Sequence, residues 1–225
     1  MEDYKQKLKD FLIGISFDYE EDMLDLIVSN LFFKYCDSGR HYHTVYHIKD
    51  CLTELEQLEM AVDYFELPVD FSRLKLAIWY HDVEDNEEDS IKYFCNDFPH
   101  AIKMTGYEID SEIESEVIRL INATKPDTKP KDIYQKLIKD IDCSILGKKI
   151  EVFKDYENKV RLEYPQYSDK EFCEGRSKIL KAFLSRESIY YTRYFRDRYE
   201  RQARQNLAVS IEHLEKGECI WNVVS

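Results

Sequence analysis

"DFSRLKLAIWYHDVEDNEED", residues 70–89, opens on an aspartate able to cap a helix and continues with Leu74, Ala77 and Ile78 at helical spacing. His81 and Asp82 come three and four residues after Ile78, and seven and eight after Leu74. A helix running on through them would carry both onto the apolar stripe. An ionised carboxylate on such a face is costly unless it is paired or holds a metal. Five further carboxylates (Glu84, Asp85, Glu87, Glu88 and Asp89) follow within seven positions. Acids favour the first turn of a helix, and Asn86 can cap one beginning at "EEDSIKYF".

Helical spacing extends outward in both directions. In "DMLDLIVSNLFFKYC", residues 22–36, the stripe is Leu24, Ile27, Val28, Leu31 and Phe32. Thr44 can cap a helix with Ile48, Cys51, Leu52 and Leu55 inward. Asp110 or Ser111 opens "EIESEVIRLINAT", which Pro126 stops by restricting Lys125. "KDIYQKLIKDIDCSILG" runs to Gly147, a candidate helix stop. "KKIEVFKDYENKVRLEY" ends before Pro165, and two long helices follow from Asp169, the second rich in Arg and Tyr. Only 6 Gly and 5 Pro occur, too few for the many turns of a sandwich or barrel. No repeat, low-complexity tract or Gly/Ser linker divides the chain. The expected fold is all-α, one domain over residues 1–225, with a core at about 30–150 and a helical extension at about 151–215.

Composition narrows the function classes. A formal charge of −13 with no long basic run argues against duplex nucleic acid as a partner. The interleaved Arg and Tyr of "YYTRYFRDRYERQARQNL" are mixed with Asp and Glu, as on a packed amphipathic helix. Six Cys include no CxxC pair, which excludes zinc-ribbon chemistry, and most sit beside apolar neighbours. With no apolar leader and no run of spanning length, the expectation is a cytoplasmic protein without a membrane partner.

The chemistry-bearing residues cluster. "GRHYHTVYHIKD", residues 39–50, holds three of the six histidines. His43 and His47 are four apart, a spacing able to chelate an ion on one helix face. Thr44 as the cap leaves His43 outside the helix, so His47 is the stronger ligand candidate. In "LIKDIDCSILG" both Asp140 and Asp142 border the buried stripe. Two imidazoles with carboxylates form a mixed N/O donor set suited to a divalent transition ion or Mn²⁺.

The order His47, His81-Asp82, Asp142 resembles the metal signature of the HD superfamily of metal-dependent phosphohydrolases. The blocks "HYHTVYHI", "AIWYHDV", "NEEDS", "LINATK", "DIDCSILG", "YENKVRLEY", "GRSKILKAFLSRESIY" and "ERQARQNL" extend that resemblance over roughly residues 30–210. It implies an all-α HD domain and a metal held by His47, His81, Asp82 and Asp142, which selects Asp142 over Asp140. Two features depart from the family pattern. The loop after Asp82 is compressed to "VEDNEED", and Lys125-Pro126-Asp127 stands where many relatives have a histidine. The second departure points to one divalent ion (Mn, Fe, Co, Ni, Zn or Mg) rather than two.

The implied function is hydrolysis of a phosphate ester of a small molecule, a nucleotide by expectation, through metal-activated water. Asp82 takes part as a ligand. Glu84, Asp85 and Glu87 are candidates to orient or deprotonate the water. Arg40, His43, Lys125, Arg161 and Arg176 are candidates to hold the phosphate. The alternative is a non-catalytic HD module that binds a nucleotide or metal and signals through a partner; the chain could also act as an oligomer.

Overall fold

The computed structural model describes residues 2–15, 21–61, 70–104 and 110–221. Among them are ten α-helices and no strand, so the fold is all-α. The helices are α1 (Glu2–Ile15), α2 (Glu21–Tyr35), α3 (Val45–Glu59), α4 (Phe71–Tyr80), α5 (Glu87–Met104), α6 (Ser111–Thr124), α7 (Ile133–Asp142), α8 (Ile150–Glu163), α9 (Asp169–Leu184) and α10 (Arg193–Glu215). A 3-10 turn, Cys143–Gly147, follows α7. No helix among the described residues is long and apolar enough to cross a membrane.

The chain divides into two compact units. The first takes the described residues of Met1–Ser38 and His43–Ile138; the second takes Gly39–Tyr42 and those of Lys139–Ser225. Helix α7 begins in the first and ends in the second.

In the first unit α4 is central, packing on α3, α5 and α6. Leu74, Leu76, Ala77, Ile78, Trp79 and Tyr80 are all buried, so its second half is apolar on every side, as an enclosed helix must be. Asp70 caps it, accepting from the Ser72 amide at 3.0 Å. The Tyr35 hydroxyl donates to the Trp79 carbonyl at 2.8 Å, and Tyr80 donates to Asp97 Oδ2 at 2.8 Å. Thus the polar tips of buried rings are satisfied near the C-terminal end of α4. Thr44 caps α3, whose Ile48, Cys51 and Leu55 are buried, and the α2 stripe from Leu24 to Phe32 is buried throughout.

In the second unit α10 packs on α9 and on the 3-10 turn, and α8 also packs on that turn. A buried ion pair ties α8 to α9. Arg176 Nη2 lies 2.6 Å from Glu157 Oε1 and 2.6 Å from the Tyr156 hydroxyl, and Ser210 of α10 donates to Glu157 at 3.0 Å. A capping box at Ser168 and Glu171 starts α9. Gly217, at φ 80°, ends α10 in a Schellman motif: its amide donates to Leu214 O, and the Glu218 amide donates to His213 O.

Gly147 stops the segment after α7 for a different reason. A Cβ there would lie 2.4 Å from Tyr199 Cβ and 2.9 Å from the Tyr199 carbonyl oxygen. The glycine lets the 3-10 turn lie directly against α10, so close approach rather than left-handed backbone fixes it. Gly147→Ala should lower stability by about 1–3 kcal/mol, because the nearest obstacles are backbone and Cβ atoms that cannot swing aside. Urea unfolding of the variant checks this; Gly175→Ala, whose added Cβ would meet nothing within 4 Å, is the control.

Candidate metal centre

Helix α4 ends at Tyr80, one residue before the motif, so His81 is its C-cap rather than a residue within it. His81 keeps right-handed dihedrals (φ −64°, ψ −35°), and its side chain therefore still follows the buried stripe; it is 2% exposed. The break has a local cause. The run of acids would face the negative end of α4, whereas Asn86 caps a new helix that places Glu87, Glu88 and Asp89 at its positive end. Asn86 Oδ1 accepts from the Asp89 amide at 2.9 Å.

His81 Nδ1–H donates to the Ile78 carbonyl at 2.8 Å. That carbonyl is one of the last four of α4, which lack a partner within the helix. The bond satisfies it and fixes the ring so that Nε2 faces inward. His47, in the first turn of α3 and 3% exposed, brings its Nε2 to 3.3 Å from His81 Nε2. Asp82 Oδ2 lies 3.1 Å from each of these nitrogens, and its side chain is 25% exposed. Burial pushes the Asp82 carboxyl upward. Electrostatic attraction to His81, hydrogen bonds from His47 and His81, and the more distant His43 outweigh that and hold it well below the usual carboxylate range.

These three atoms fit one ion. Ligand atoms about 2.1 Å from a common ion are about 3.0 Å apart at a right angle and about 3.4 Å apart at a tetrahedral one. The observed edges of 3.1, 3.1 and 3.3 Å lie between those limits. The negative end of α4 points the same way, since cations are favoured at helix C-termini. The first unit thus brings together His47, His81 and Asp82 as a group able to hold a metal ion.

The remaining candidates fall as follows. Asp142 is the last residue of α7, partly exposed and right-handed. Its rival Asp140 is buried and spends its carboxylate at the start of α10, accepting from the Tyr191 amide at 2.8 Å and from the Thr192 amide and hydroxyl at 2.7 Å each. Burial pushes this carboxyl up to about 6 even against those donors. Asp140→Ala should cost about 2–3 kcal/mol by leaving enclosed amides without an acceptor; chemical denaturation measures it, and a cost under about 0.5 kcal/mol would contradict this role.

Among the acids, Glu84 is half-buried and pairs with Lys34 at 2.5 Å. Glu88 pairs with Lys125, while Asp89 bonds Asn86 and Lys92. Asp85 is exposed, and Glu87 is half-buried at the first position of α5. Of the phosphate-binding candidates, His43 stands edge-on to His47 with ring centres 5.8 Å apart, and Arg40 is half-buried. Arg161 closes the loop after α8 through Tyr164 O, Tyr167 O and Asp169, and Arg176 is committed to Glu157 and Tyr156.

Helical spacing puts Cys51 on the core stripe, and the structure buries it there. Its Sγ lies 3.7 Å from His47 Nε2 and 3.8 Å from Nδ1, against the ring and not along the Nε2 lone pair. The spacing of His47 and Cys51, four residues apart on one helix face, is what brings the thiol against the ring. Comparison of this chain with protein-family models, with curated proteins and with solved structures gives no match.

Proposed function

We propose that this chain is a metal-dependent phosphohydrolase of the HD type, acting on a phosphate ester of a small molecule, and that a nucleotide is the substrate. The observation that carries the reading is the triangle of His47 Nε2, His81 Nε2 and Asp82 Oδ2, with edges of 3.1–3.3 Å. Asp142 is proposed as the fourth ligand. Its support is the resemblance in motif order, together with the commitment of Asp140 to the start of α10.

When bound, a divalent ion supplies Lewis-acid chemistry, lowering the pKa of a coordinated water and neutralising charge on a phosphoryl oxygen. His81 is held in one orientation by Ile78, and the ionised Asp82 supplies the negative charge that draws a cation in. Glu84, Asp85 and Glu87 are the acids proposed to accept the proton of the attacking water, since Glu88 pairs with Lys125 and Asp89 bonds Asn86 and Lys92. Arg40, His43 and Lys125 are proposed to hold the phosphate. Arg161 and Arg176 are set aside for that role, because each guanidinium is held by two or more protein acceptors, whereas the Glu88 that pairs with Lys125 is exposed and can release it.

Purified protein with Mn²⁺, Co²⁺ or Ni²⁺ is expected to release phosphate or a nucleoside from a nucleotide panel, and chelation is expected to stop it. A panel without turnover would contradict the reading. The pairing of Glu84 with Lys34 favours a second one, a non-catalytic module, since it spends the acid nearest the motif. Nucleotide binding without product would select that module.

A further inference from the structure

Two buried thiols meet in the second unit, away from the ligands of the metal centre. Cys173 lies in the second turn of α9 and is 5% exposed; Cys219 follows the end of α10 and is 7% exposed. They are 46 positions apart in the chain, yet their side chains share a hydrogen bond. The Cys219 thiol also bonds the Asp169 carboxylate and the Arg161 guanidinium, which pair with each other at 2.7 Å. The backbone is fixed on both sides of Cys219. Before it, the Gly217 and Glu218 amides close the end of α10. After it, Asn158 of α8 accepts from the Trp221 amide at 2.6 Å and donates to the Trp221 carbonyl at 2.9 Å, while His213 stacks on the Trp221 ring with centres 3.8 Å apart. Cys219 is thus held between two anchors, with its sulfur against Cys173.

We propose that Cys173 and Cys219 are a redox pair, whose disulfide locks segment 217–221 onto the start of α9. Both are reduced in this structure. The oxidant is a low-molecular-weight disulfide such as glutathione disulfide. Glu218 and Ile220, on either side of Cys219, are exposed, so the oxidant approaches from solvent with only this segment to displace. Burial, and then the Cys219 thiol beside it, push the Cys173 thiol up to about 11, so Cys219 attacks first. Its thiolate bonds one sulfur of the glutathione disulfide, giving a mixed disulfide and releasing one glutathione. The Cys173 sulfur then attacks the Cys219 sulfur and releases the second. Each protein S–H proton ends on a released glutathione thiol. The two protein sulfurs together give up two electrons, and the glutathione disulfide takes them.

The experiment exposes the folded full chain to glutathione disulfide, quenches with acid, alkylates the remaining thiols and maps the cysteine peptides by mass spectrometry. An adduct on the exposed Cys36 reports that the oxidant is active. Wild type should yield the Cys173–Cys219 cross-link, and a thiol reductant should reverse it. Cys173→Ser should carry a glutathione adduct at Cys219 and no cross-link. Oxidised wild type should unfold in urea at a midpoint about 1 M above that of the reduced protein, and neither Cys173→Ser nor Cys219→Ser should show the rise. Far-ultraviolet circular dichroism confirms that each variant is folded; where one is not, the wild-type map and midpoint decide alone. Free thiols at Cys173 and Cys219 beside a modified Cys36 overturn the proposal. So do separate adducts on the two without a cross-link, a cross-link from either to another cysteine, and an oxidised midpoint no higher than the reduced one. None of these results touches the metal centre, whose ligands take no part.

Discussion

Replacing His81 with alanine is expected to weaken divalent-ion binding by at least about 100-fold, since loss of even an outer-shell partner of a metal ligand costs 10–100-fold. The ring does two things at once. Its Nε2 lies 3.1 Å from Asp82 Oδ2 and 3.3 Å from His47 Nε2, and its Nδ1–H ties it to Ile78. Alanine removes a donor atom and also leaves the Ile78 carbonyl without its partner, so basal stability falls as well. The informative quantity is therefore the gain in stability on adding the ion. At an ion concentration about 100 times its dissociation constant, wild type should gain about 2.7 kcal/mol; a 100-fold weaker variant should gain about 0.4 kcal/mol. Phosphate release, if the proposed activity holds, should fall with it. Equal gains in the two proteins would remove His81 from the centre.

Breaking the Glu157–Arg176 pair is the other large effect. The side chains are 4% and 11% exposed, and the carboxylate also accepts from Ser210. Arg176→Met should destabilise by about 3–5 kcal/mol, because it leaves a buried carboxylate without its cation. The double variant Glu157→Leu/Arg176→Met should recover most of that, since a buried pair replaced as a unit costs little. Urea unfolding at neutral pH compares the three proteins. A single variant costing under about 1 kcal/mol, with a change in substrate KM instead, would return Arg176 to the phosphate-binding role that its motif suggested.

The helices were legible because burial repeats at helical spacing. Leu24 through Phe32 marked α2, Leu74 through Ile78 marked α4, and Thr44 and Asp70 marked the starts of α3 and α4 as caps. The histidines and Asp82 were legible because polar groups on an apolar stripe call for a partner. What spacing does not carry is the identity of that partner. Arg161 and Arg176 met Asp169 and Glu157, acids 8 and 19 positions away, and no local pattern distinguishes such a pair from a phosphate clamp. Gly147 was read as a helix stop, but its reason is Tyr199, 52 positions on. Cys51 falls on the core stripe and is buried there, and its contact with the His47 ring is something that periodicity does not carry, since it reports a face and says nothing of what lies against it. The end of α4 at Tyr80 came from competition between two helix termini for one run of acids.

The central claim is that His47, His81 and Asp82 hold one divalent ion. Equilibrium dialysis of the metal-stripped chain against Co²⁺ tests it most directly, with wild type beside His47→Ala and Asp82→Ala, each confirmed as folded. The account predicts about one ion per wild-type chain and binding at least about 100-fold weaker in both variants. Wild-type protein that takes up no ion, or variants that take it up as well as wild type does, would contradict it.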